Sequence, residues 1–145
     1  MGWRVARSRI AAILEAVYIT DPMILAIKRV YVNPPATVED APCFILLPPA
    51  LKVERGAGGF RIKTYTLRMR CLVSDEAVDR AADLIDAFRE AVVDAFDGDV
   101  TLNHTASMIV GPNIEEPRGW DYAGRAFVGM DCLLSVHIKE ARSFT

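Results

Sequence analysis

Along the chain, apolar residues recur with two different periods, and the period tells strands from helices. In Trp120–Ile138, Val128, Met130, Cys132, Leu134, Val136 and Ile138 all fall on one side. That period of two predicts a long strand with one buried face. Gly124 and Gly129 lie inside the run, where glycine marks a bulge or a close backbone approach. Arg61–Val73 repeats the pattern: Tyr65, Leu67, Met69, Cys71 and Val73 share one face, and Thr64, Thr66, Arg68 and Arg70 share the other. One face is therefore dry, and the other is wet or faces a subunit. Val100–Val110 alternates through Leu102, His104, Ala106 and Met108 and predicts a third strand, followed by a charged loop over Gly111–Gly119.

Helical spacing governs two other stretches. From Trp3 to Tyr18, Ala6, Ile10, Ile13, Leu14 and Val17 share a face, with Arg4, Arg7, Ser8 and Glu15 largely opposite. Thr20, Asp21 and Pro22 stop that helix. The second helix is predicted over Asp75–Phe96, with Ser74 as its cap and Asp75 and Glu76 in the first turn, where the helix dipole favours negative charge. Its stripe is Ala77, Ala81, Leu84, Ile85, Phe88, Val92 and Phe96, and Gly98 is expected as a left-handed cap.

Between the helices, Ile27–Val32 reads as a strand, and Cys43–Leu47 reads as a short buried strand set among prolines. Gly56, Gly58 and Gly59 form a tip between Lys52–Arg55 and Phe60. It is not a phosphate loop, because no Lys and Ser or Thr follow its last glycine to open a helix. The elements together predict one α+β domain over residues 1–145. It has two layers, an antiparallel sheet packed by two helices, and a projecting Gly-tipped hairpin.

Composition sharpens this picture. At 52% hydrophobic residues the chain is rich in apolar side chains for 145 residues, which fits partial cover by another subunit. A net charge of −2 argues against a dedicated nucleic-acid binder. No apolar run approaches the ~20 residues that span a bilayer. Arginines precede an apolar run at the amino terminus, as in a signal peptide, but Glu15 interrupts it, so synthesis in the cytosol is expected.

Candidate chemistry is sparse. Cys43, Cys71 and Cys132 are widely spaced and fall in predicted strands, which suits small buried hydrophobes and neither a disulfide framework nor a zinc site. His104 and His137 are the only histidines. A Cys71–His104 nucleophilic pair needs neighbouring strands, and neither group lies at a sharp turn or helix start. No catalytic residue, metal site or cofactor is assigned. On the second helix Asp79, Asp83, Asp86 and Glu90 recur at intervals of four, three and four, relieved by Glu76–Arg80 and Asp86–Arg89 pairs. Arg4, Arg7 and Arg9 make a small basic end on the first helix, either solvated or in contact with an acidic neighbour.

Four features carry a resemblance: the short first helix leading into EDAPCFILLPPA, the Gly-tipped hairpin entering a long strand, the single long acid-capped helix, and DYAGRAFVGMDCLLSV. Together they cover most of the chain. In this order they resemble the tail terminator (tail completion) proteins of long-tailed bacteriophages, which cap the tail tube and join it to the head. The resemblance implies a non-catalytic hexameric ring of α+β subunits, assembled in the host cytoplasm and resident in the virion neck. Its partners would be the tail tube protein and the head–tail connector proteins, with DNA passing through unspecifically and no membrane involved. Physics then suggests an oligomer or docking surface at Arg55, Gly56, Gly58, Gly59, Phe60, Arg68 and Arg70. Asp79, Asp83, Asp86 and Glu90 are either a lumen lining that repels DNA or a solvated helix face. The alternatives are another neck or head-completion adaptor and, from a different class, a small RNA-binding or enzyme domain.

Overall fold

The computed structural model describes residues 2–74 and 78–141. Two helices, α1 (Trp3–Glu15) and α2 (Val78–Asp97), pack on a sheet whose frame is two long strands, β6 (Phe60–Ser74) and β9 (Arg125–Ala141). These pair antiparallel from Phe60↔Ala141 to Ser74↔Val128. Along the far edge of β6, β4 (Cys43–Leu46) pairs with Met69–Leu72 and β5 (Ala50–Arg55) pairs with Arg61–Thr66. Along β9, β7 (Met108–Ile114) and β8 (Arg118–Tyr122) share the other edge. β3 (Arg29–Tyr31) lies beside β4 in parallel, so the sheet is mixed where an antiparallel one was expected. A separate two-stranded piece joins β1 (Tyr18–Ile19) to β2 (Leu25–Ala26).

The alternation of β6 and β9 sorts their side chains as the sequence predicts. Leu67, Met69, Cys71, Met130, Cys132, Leu134 and Val136 are completely buried, in one core with Ile10 and Leu14 of α1 and Ile85, Phe88, Val92 and Phe96 of α2. Each large aliphatic or aromatic side chain removed from water contributes roughly 1.5–3 kcal/mol before entropy. A second, smaller cluster (Val38, Cys43, Ile45, Leu72, Phe127) lies apart from that core, with Trp120 and Tyr122 packed on it. The proline-rich segment and β8 thus supply a partial cover for one end of the opposite face.

Three expectations fail for identifiable reasons. Val100–Ser107 is not a strand: Leu102, Asn103 and His104 have φ of 50°, 54° and 66°, which is left-handed backbone. The strand begins at Met108 and runs through residues expected as loop, with a bulge between Val110 and Asn113 that takes up Gly111 and Pro112. Gly111 has φ +104°, and a Cβ there would meet the Leu133 carbonyl at 2.9 Å. The run from Trp120 is likewise two strands, because Ala123 and Gly124 (φ 55° and 84°) form a two-residue turn between Tyr122 and Arg125. The Asp121 carboxylate accepts from the Gly124 N–H at 2.8 Å and fixes that turn.

Two helix ends also differ from expectation. α1 stops at Glu15, and Tyr18 opens β1. Gly98 is not left-handed; the chain turns instead on the Asp99 N–H, which donates to the Phe96 carbonyl. Residues 75–77 lie outside the described residues, and with them the expected first-turn acids Asp75 and Glu76.

Candidate functional site

The site residues named from the sequence fall on three separate surfaces. The first is the β5–β6 hairpin. All six residues of β5 are exposed, including Leu51 and Val53. Among the described residues β5 pairs with β6 alone, from Ala50↔Thr66 to Arg55↔Arg61. The connection is a single 3-10 turn over Ala57–Gly59. Gly58 and Gly59 have φ of 82° and 79°, which a side chain would strain, whereas a Cβ on Gly56 would meet nothing. Phe60, 43% exposed, lies under the Lys139 ammonium at 4.6 Å. Arg61 and Lys63 both reach Glu140, at 3.4 and 2.9 Å. Those partners, Lys63 foremost, hold the Glu140 carboxyl below its ordinary range.

The second surface is the sheet face away from the helices, and here Arg68 and Arg70 are already engaged. Arg68 reaches Asp131 at 2.8 Å and also pairs with Glu115. Arg70 grips the same carboxylate with two bonds of 2.9 and 3.2 Å and donates to the Tyr122 hydroxyl at 3.2 Å. Its guanidinium lies 4.4 Å over the Trp120 ring. Asp131, 1% exposed, is the buried centre of this cluster. The sequence reading missed it, because only the β6–β9 register sets Asp131 opposite Arg70. The bonds to Asp131 and Glu115 raise the Arg68 pKa. In Arg70, burial works the other way but is outweighed by Asp131 and Tyr122. Two cations face two carboxylates, so the pair offers no surplus positive charge to a phosphate backbone.

Further along the same face toward the hairpin, the sheet is open. His137 and Thr64 share a 3.0 Å hydrogen bond across the strands. Met108 and Val110 (51% and 47% exposed) stand opposite His137 and Ser135.

The third surface is α2. Asp83, Asp86 and Glu90 are exposed and line one groove of about 940 Å³ with Asp94, Asp21 and the β1 segment. Ala87, Ala91 and Ala95 also line it. Among the described residues Arg89 is the cation paired with this row, 3.4 Å from Asp86. Asp79 lies in the first turn of α2, and its side chain is outside the described residues.

The cysteines are unsuited to nucleophilic chemistry. All three are free and buried. Burial pushes the Cys43 and Cys132 thiols up to about 12, with Asp40 and Asp131 adding to it, and Cys71 also moves well upward. Cys71 is buried under the helices, whereas His104 is exposed in the turn after α2, so the sequence's conceivable pair is not assembled. Among the described residues no group of His, Cys, Asp and Glu is placed to hold a metal ion, and no helix is long and apolar enough to cross a membrane. Neither a protein-family model nor a curated protein matches this sequence.

Proposed function

We propose that this chain is a structural virion protein that caps the tail tube of a long-tailed phage as a homo-oligomeric ring, a hexamer, and presents the surface that joins tail to head. The observation that carries this reading is the exposed strand pair at the end of the two longest strands. β6 and β9 are 15 and 17 residues long, and their shared end carries β5 and the glycine turn with every β5 residue exposed. In this reading the Gly-tipped hairpin projects as an arm that docks on the tube. The open face around Met108, Val110 and Ile62 meets a neighbouring subunit, since exposed apolar groups grouped on one face mark an interaction surface. The RNA-binding alternative is disfavoured by the neutralisation of Arg68 and Arg70. An adjacent neck adaptor differs only in its station along the same axis.

The test is reconstitution. Purified chain is added to tail tubes assembled without it and imaged by electron microscopy. A ring at one end of the tube, with restored joining to heads, is the expected result. Bare tube ends at saturating protein overturn the proposal.

A further inference from the structure

We infer that the free edge of β5 pairs antiparallel with β5 of a second copy about a two-fold axis through Val53, giving a dimer in solution that covers the arm. An exposed strand edge presents unpaired N–H and C=O groups and is a template for another strand. β5 has such an edge: β6 occupies one side, and no element among the described residues pairs with the other. The edge is six residues long and lacks proline, and two of its side chains are exposed aliphatics, Leu51 (52%) and Val53 (37%).

The sequence of β5 identifies the occupant. In Ala-Leu-Lys-Val-Glu-Arg, an antiparallel self-pairing centred on Val53 sets Lys52 opposite Glu54 of the second copy, and Glu54 opposite its Lys52. Both pairs lie on one face. On the other face Val53 meets its own equivalent, and each Leu51 stands opposite an Arg55 stem. Opposite charges directly across strands favour pairing and like charges oppose it. Lys52 and Glu54 already touch within the strand at 3.1 Å while remaining 75% and 63% exposed, so both are free to take a second partner. A two-fold contact of this kind is self-complementary and closes at two copies. The two cores then lie at opposite ends of the overlapped arms. The inference stands apart from the ring: the arm is covered in the free dimer and exchanged for the tube on docking.

Charge swaps test the register. Sedimentation of the wild-type chain is expected to show a concentration-dependent dimer. K52E alone and E54K alone should each raise its dissociation constant at least tenfold, and the double swap K52E/E54K should restore it. The substituted side chains are exposed, so matching thermal melts establish that the variants fold. Val53→Cys, with the native thiols buried, should form an intermolecular disulfide under mild oxidation much faster than Leu51→Cys, which has no equivalent thiol opposite it. A wild-type chain that is monomeric throughout overturns the pairing, as does a double swap that behaves like the singles or equal cross-linking at both positions. A ring that survives all these variants unchanged, with no dimer beneath it, overturns the pairing and leaves the ring intact.

Discussion

At the residue scale, three positions hold the frame together through different physics. Gly129 faces Leu72 where the β6–β9 register shifts, and a Cβ there would lie 1.9 Å from the Cys71 carbonyl oxygen. Backbone cannot yield as a flexible side chain can, so Gly129→Ala is expected to destabilise by about 1–3 kcal/mol or more, measured by urea unfolding. Asp131 is the buried anion between two guanidiniums. Asp131→Asn turns an amide donor toward one of them and is expected to cost about 3 kcal/mol, the lower end for a broken buried pair, because Arg68 stays partly in water. A loss below 0.5 kcal/mol, roughly the scale of a surface change, would mean the cluster is solvated.

Asp99 works through charge at a turn. Burial alone would raise its pKa, but the Asn103 N–H (2.7 Å) and Arg9 (2.8 Å) outweigh that and hold it below the ordinary carboxylate range. A depressed carboxylate contributes stability above its unfolded-state pKa and loses it as pH falls through the folded-state value. Asp99→Asn should therefore be less stable than wild type by roughly 0.5–1 kcal/mol near pH 6, and the gap should close as pH falls through the folded-state value. A constant gap in acid would show that the shape of the turn matters and its charge does not.

At the element scale, stability is unevenly shared. β5 lies outside the core, while Leu67–Leu72 and Met130–Val136 form its centre. Amide exchange should therefore be fastest in Ala50–Arg55 and slowest in those central segments, as expected where few apolar contacts back the hydrogen bonds. Uniform protection across β5 and β6 in dilute protein would contradict this. The same unevenness explains what the sequence disclosed. Strand alternation and the α2 stripe follow from burial, which acts residue by residue and is written in the pattern, so β6, β9 and α2 were legible. Val100–Val110 misled because Leu102 and Ala106 are buried from a turn, and alternation does not distinguish that from a strand. β7 was hidden because its bulge places Gly and Pro inside a strand. The parallel β3–β4 contact depends on the path of the proline-rich segment, which no local pattern encodes. At the site, the neutralisation of Arg68 and Arg70 was not legible, because Asp131 lies 61 residues beyond Arg70.

At the scale of the whole molecule, the groove along α2 decides how a ring would treat DNA. Asp83, Asp86 and Glu90 stay exposed on one wall, and Asp86 keeps 73% of its side chain in water beside the single paired cation described. Repeated around a closed ring with this wall inward, the row would form an anionic collar that repels phosphates and gathers cations. With the wall outward, it would only solvate the assembly. The inward arrangement makes the stronger claim: lysine at both Asp83 and Asp86 reverses the sign at two exposed positions of the wall without touching the core at Ile85 and Phe88. Assembly and thermal stability should then be unchanged, while genome release slows. The slowing should be large at low salt and fade as ionic strength rises, because the Debye length shrinks from about 30 Å at 0.01 M to about 8 Å at 0.15 M. A phosphate held by added lysines is released by salt in the same way. Release rates for the double variant across that range discriminate the two arrangements: salt-dependent slowing places the carboxylates on the DNA path, and rates equal to wild type at every ionic strength place them on the outer wall.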